Sequence, residues 1–328
     1  MRFKLMIAAL AATATVLPFG VLAQRQPTPQ GAPSSAGDAQ AQKARWMRDQ
    51  SNWGRWGKDD ELGALNLITA AKRAEALALA RSGIVVSLSR PIVLSERPAA
   101  AAGDNPPATP FFDVRFRSPS PPNPAGDYNV DVQSFAYHGM AYTHLDGLCH
   151  SIYEGKLYNG FAQDQVIDPR KGCQKMGIQR LKDGIVTRAV LVDFPRLRGV
   201  ASLPASERLK PSDVEAWEKM VGVKVSPGDA LLLYTGWKAG AQGPSANYDP
   251  SMVTLLKARG VALVGADGVS GDHQLSITAL GIYLIDNADL AQAAETAARL
   301  RRWQFALVVS PIPTPGATGS IVNPLAMF

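Results

Sequence analysis

An α/β fold, built as a single domain around a mixed sheet, is what this sequence predicts, and three observations carry the prediction. Apolar runs of strand length at 132–146, 186–194, 229–236, 261–266, 281–286 and 305–311 alternate with helical stretches through the second half of the chain. Of 328 residues 46% are hydrophobic and 19% charged, enough apolar side chain to bury a large core. No internal repeat interrupts the alternation, so neither a solenoid nor a propeller is expected.

Taken in order, the chain opens with Arg2 and Lys4, an apolar stretch from Leu5 to Leu22, and small residues before Gln24. That is the pattern of a secretory signal, 1–23, cut after Ala23, and it predicts a periplasmic or secreted protein with no membrane contact once the signal is removed. Pro18, Gly20 and many alanines make the alternative, a permanent anchor, a poor span. Residues 24–42 are Pro, Gly, Gln, Ser and Ala with almost no large apolar side chain, a composition that predicts a disordered tether. The folded domain is expected over 43–328, with packing beginning near Trp46. Thr69 caps a helix to about Ala80, Gly83 stops it, and 84–94 reads as a strand. Eight prolines between Glu96 and Tyr128 predict a long irregular loop of the functional kind. Farther on, Ser212-Asp213-Val214-Glu215 behind Pro211 reads as a capping box, Asp249 and Ala288 open two more helices, and His273 begins another that ends at Gly281.

Charge and cysteine content exclude several functions. The net charge of +6 comes with no basic run interleaved with aromatics, so nucleic-acid binding has no support. Neither Gly-x-Ser-x-Gly nor a phosphate-binding glycine loop is present, which removes serine-hydrolase and nucleotide chemistry. Two cysteines make no disulfide framework. Cys149 and Cys173 could pair in an oxidising compartment, or Cys149 could stand as a free buried thiol.

The scarcest group is the most telling. Only four histidines occur, and three of them, His138, His144 and His150, fall with Asp146 in the stretch YHGMAYTHLDGLCH. In an extended strand alternate residues share a face, so His138, Met140, Tyr142, His144 and Asp146 would point one way, and Gly147 lets the chain turn His150 back towards them. Imidazole and carboxylate together are the donor set for zinc or a similar divalent ion, and an open position on that ion activates water. His273 and Asp286, the latter at a strand end, are further candidates. Trp53, Trp56, Phe111 and Tyr142 are candidate walls for an aromatic substrate.

The segments THLDGLCH at 143–150, YNGF at 158–161, NWGRWGKDDELGALNLIT at 52–69 and PGATGSIVNPLAMF at 315–328 resemble the cyclase family, metal-dependent hydrolases that include bacterial kynurenine formamidases and isatin hydrolases. The likeness runs from about residue 45 to the end. It implies a swivelling β/β/α domain in dimers or tetramers, with His144 and Asp146 as metal ligands, His150 as proton donor and acceptor, and His273 and Asp286 completing the site. The family motif H-x-G-T-H-x-D-x-P-x-H is broken in three places, with Met140 for its first histidine, Tyr142 for its glycine and Leu148 for its proline. A thioether is a poor ligand for a hard ion, so His138 is the available substitute, reaching the ion if the strand bulges at Gly139 and otherwise supporting the ligands or contacting the substrate. One ion, zinc or manganese, is expected. The function this implies is hydrolysis of an amide, lactam or lactone in a small molecule, aromatic or not. A lyase or dehydratase on the same metal and a non-catalytic metal- or ligand-binding protein are the alternatives.

Overall fold

The computed structural model describes residues 36–92, 112–117, 130–135, 137–139, 142–238, 245–268 and 270–328. The chain divides into two units, Met1–Gln40 and Ala41–Phe328. The first is described only at the opening of a helix, and the sheet and the site belong to the second. The signal segment, most of the tether, Phe111 and Met140 lie outside the described residues. No helix among those described is long and apolar enough to cross a membrane.

In chain order, α1 spans Ala36–Asp49, a 3-10 turn covers Gly63–Leu67, and α2 spans Ala70–Leu77. Strands β1 Val85–Ser87, β2 Phe112–Arg117, β3 Val130–Phe135 and β4 His144–Asp146 follow. Then come α3 Gln163–Val166, β5 Ile167–Asp168, β6 Gly172–Cys173, β7 Ile185–Asp193, α4 Phe194–Arg198, β8 Arg208–Leu209, α5 Pro211–Val221, β9 Ala230–Tyr234 and β10 Asn247–Tyr248. The chain closes with α6 Met252–Arg259, β11 Leu263–Ala266, a π-helical segment Gln274–Ala279, β12 Tyr283–Asp286, α7 Ala291–Leu300, β13 Gln304–Val309, β14 Gly319–Ile321 and β15 Leu325–Met327.

Nine strands form one mixed sheet in the order β1-β15-β13-β7-β9-β11-β12-β4-β14. Its centre, β7-β9-β11-β12, is parallel, and every pairing outside it is antiparallel. Parallel strands are covered on both faces and therefore read as unbroken apolar runs, as ALLLY and LVGA do here. Leu191, Leu232, Val264 and Leu284 are fully buried at that centre. The sequence and the structure agree on this mixed α/β class.

Several boundaries move. The tether expected to reach residue 42 is already helical from Ala36, because residues 39–43 are Ala, Gln and Lys, good helix formers, with Asp38 in the first turn. The loop expected over 96–128 contains β2, antiparallel to β3 with Phe112 opposite Phe135 and Arg117 opposite Val130. The alternating FDVRFR beneath the prolines is its signal. The strand expected at 84–94 stops at Ser87, where the chain turns inward and Arg90 N–H reaches the Thr143 hydroxyl at 2.9 Å. At α5 the cap is Lys210, whose N–H donates to the Asp213 carboxylate at 2.8 Å, so half of the expected box forms two residues earlier. Asp249 and Ala288 precede their helices by three residues each rather than opening them. The segment after His273 winds as a π-helix.

Cys149 and Cys173 are joined in a disulfide that ties the residue before His150 to β6. Closing a loop across a separation of 24 residues restricts the unfolded chain by about 3 kcal/mol. Cys173→Ser is therefore expected to lose about that much stability in urea unfolding under oxidising conditions, and an unchanged midpoint would show that the bond is idle.

Candidate metal centre

Three neighbouring strands build the site. β4 lies between β12 and β14, with His144 opposite Asp286 and Ile321, and Asp146 opposite Leu284 and Gly319. The strand expected to run unbroken from 132 to 146 is interrupted between β3 and β4, where residues 137–139 leave the extended ladder and Gly139 takes φ +132°, a conformation open to glycine. The interruption does what the expected bulge was to do. His138 Nδ1 comes within 3.0 Å of Asp146 Oδ1.

Around the Asp146 carboxylate stand all four histidines of the chain. His144 Nε2 is 3.6 Å from Oδ1, while His273 Nε2 and His150 Nε2 are 3.3 and 3.9 Å from Oδ2. His273 Nε2 also faces Asp286 Oδ2 at 3.6 Å. The His138 and His150 rings stack at 4.4 Å, and His138 meets His144 edge-on at 5.4 Å. The structure thus brings together six of the residues singled out in the sequence, from positions as far apart as 138 and 286.

Asp146 is only 1% exposed, yet neither of its oxygens has a hydrogen-bond partner, nor does His138 Nδ1. A buried carboxylate left without donors is costly unless a cation completes it. Burial pushes the Asp146 carboxyl up, but the surrounding imidazoles, His138 and His273 first, outweigh it and hold the group well below the usual carboxylate range. Burial pushes His273 down, and the two carboxylates facing it reverse this and raise its imidazole to about 10. His150 is held below its ordinary value by burial, with the Asp146 charge opposing. Two sets, His138-His144-Asp146 and Asp146-His150-His273, present donor atoms mutually within 4.8 Å, the spacing a metal ion needs. The residues present therefore fit a divalent ion.

Supporting contacts fix the donor atoms. His144 Nδ1 is 2.9 Å from the Tyr142 carbonyl, so that nitrogen carries the proton and Nε2 keeps its lone pair for the cluster. Asp286 Oδ1 accepts the Ser270 N–H at 2.8 Å, which leaves Oδ2 turned to His273. Asn287, in the left-handed region at φ 55°, donates to the Gly139 carbonyl at 2.6 Å and to the Tyr142 carbonyl at 3.4 Å, clasping the chain on both sides of Met140. Sequence reasoning passes over Asn287 as a mere neighbour of Asp286. Its one signal is that asparagine tolerates the left-handed conformation at a strand end.

The other candidates have structural employment. Trp53 donates its indole N–H to the Thr278 carbonyl at 2.6 Å and covers Gly160, where a Cβ would meet the ring at 3.2 Å. Asn52 bonds Ala279 and Leu280, so the NWG segment grips the end of the π-helix that His273 begins. In YNGF, Tyr158 donates to Asp60 at 2.9 Å and Asn159 accepts from Gly54 N–H at 2.7 Å, locking two of the family-like segments to each other. Trp56 packs against the core under the Arg55 guanidinium. Trp53 also lines a cavity of about 340 Å3 with Met47, Arg48, Tyr153 and Lys156, and none of the six clustered residues lines it. Tyr142 is buried, with its carbonyl on His144.

Fold and site together define an α/β protein whose sheet margin carries a histidine and carboxylate centre able to bind a divalent metal. The chain belongs to the cyclase family, whose model, described as putative cyclase, matches residues 86–273. A crystal structure described as a novel cyclase is 27% identical at a TM-score of 0.73, covering 86% of this chain and 99% of that one. Isatin hydrolase A from Ralstonia solanacearum is 18% identical at a TM-score of 0.48, over 79% of this chain and 97% of that one. No curated protein matches the sequence.

Proposed function

We propose that this protein is a metal-dependent hydrolase that opens an amide, lactam or lactone bond in a small molecule. The observation that carries the reading is the buried Asp146 carboxylate, without a hydrogen-bond partner and ringed by four imidazoles. His138 Nδ1, His144 Nε2 and Asp146 would hold the ion, with His273 and Asp286 completing the site around it. Zinc or manganese suits this donor set. When bound, the ion supplies Lewis acidity to a water and to the substrate carbonyl. His150, with burial favouring its neutral form, takes a proton from the attacking water and returns it to the leaving nitrogen or oxygen. Export to the periplasm or beyond belongs to the same proposal. It is supported by the signal-like opening at 1–23 and by the Cys149–Cys173 disulfide, a bond that persists in oxidising compartments. A homodimer or tetramer is proposed from the family resemblance.

The test is turnover of formanilides, isatin and small lactones before and after chelation. Chelator is expected to abolish activity, and zinc or manganese to restore it, with one labelled oxygen from water appearing in the product acid. Full activity in metal-free protein would end the reading, and product lacking the label would move the chemistry to elimination.

A further inference from the structure

Where the family motif has its first histidine this chain has Met140, and the imidazole that reaches Asp146 comes instead from His138, outside the regular ladder. An imidazole there needs something to choose which of its nitrogens carries the proton, because only the other can donate to a metal. His138 Nδ1 is the buried atom without a hydrogen-bond partner, 3.0 Å from Asp146 Oδ1, and Nε2 lies 2.9 Å from the Thr318 hydroxyl.

We infer that Thr318 is the positioning residue that makes His138 a metal donor through Nδ1, by accepting the Nε2 proton on its hydroxyl oxygen. The inference rests on the proposed metal site and concerns how this chain repairs its broken motif. Proton counting gives the direction. Tyr137 Oη donates its one proton to the Gly319 carbonyl at 2.8 Å and so has none to offer Thr318. With Nδ1 turned to the Asp146 carboxylate and Nε2 to the Thr318 hydroxyl, an Nδ1 lone pair directed at a metal puts the ring proton on Nε2, where the hydroxyl oxygen has lone pairs to accept it. The hydroxyl is also preorganised. The Thr318 carbonyl accepts from Gly147 N–H at 2.9 Å, and that of Ala317 from Ile178 N–H at 3.0 Å. Space is equally committed, since a Cβ on Gly319 would sit 2.5 Å from the Leu145 carbonyl and 3.1 Å from the His138 ring.

The experiment titrates zinc or manganese into the full-length, metal-free protein by calorimetry and follows the histidine ring nitrogens by nitrogen-15 NMR. Thr318→Val is expected to weaken binding by about ten- to a hundredfold, the usual cost of losing a hydrogen bond behind a metal-ligating histidine. Thr318→Ser is expected to restore it, and the wild-type His138 ring is expected to carry its proton on Nε2. A purely structural threonine would lower the unfolding temperature of the metal-free protein without a tautomer signature and without rescue by serine. Wild-type affinity in Thr318→Val, or a proton on His138 Nδ1 in the unsubstituted protein, overturns the inference while leaving the metal site intact. A wild-type protein that binds neither ion brings down both. Should Thr318→Val fail to fold, the wild-type tautomer and the affinity of Thr318→Ser still decide.

Discussion

Asp146→Asn is expected to abolish metal binding and to cut turnover by about a thousandfold or more. Lewis acidity is worth several kcal/mol to the transition state, and each 1.4 kcal/mol is a factor of ten. Asp146 is the one side chain that both donor sets share, within 3.9 Å of every histidine in the protein, so its charge is the common anchor. An asparagine keeps the shape and loses the charge. It also brings an amide N–H2 in among imidazole nitrogens, which makes the metal-free fold no less satisfied than before. The expected signature is thus a metal-free unfolding temperature close to that of the wild type, with the rise on adding zinc or manganese gone, because only a ligand bound by the native state stabilises it. An Asp146→Asn protein whose unfolding temperature still rises by the wild-type increment in the presence of metal would displace Asp146 from the centre of the site.

His150→Gln is expected to leave metal content intact and lower turnover by about a hundred- to ten-thousandfold, the range a positioned acid or base contributes. Its Nε2 is the farthest of the four imidazole nitrogens from Asp146, at 3.9 Å, and its ring stacks on His138. The disulfide at Cys149 and the hydrogen bond from its own N–H to the Gly147 carbonyl hold its backbone. Glutamine preserves a polar end of similar reach and cannot take up a proton at neutral pH, so the change separates proton transfer from packing. Metal analysis of the purified variant together with steady-state rates reads the result. If metal falls in step with turnover, His150 is a ligand alongside Asp146 and His273, and the proton must be moved by another group.

The cluster is legible in the amino-acid order because its chemistry is local. Three histidines and an aspartate fall within thirteen residues: alternation along β4 puts His144 and Asp146 on one face, while His138 joins them from the irregular chain before β4 and His150 from the turn after it. The parallel sheet is legible for a similar reason, as strands buried on both faces must be apolar at successive positions. The misleading signal is local too. Proline density conceals the alternating β2.

By itself, then, the sequence determined the α/β class, the metal-binding character of the His138–His150 stretch and the likeness to one family. Only the tertiary structure decided how the motif's missing histidine is made good. Thr318 meets His138 across 180 residues of chain, Asn287 meets Gly139 across 148, and His273 meets Asp146 from a different element again. These contacts exist because β4 inserts between β12 and β14. Strand order is set by the packing of the whole apolar sheet, and no pattern within a short window encodes which distant hydroxyl or amide it will bring to an imidazole.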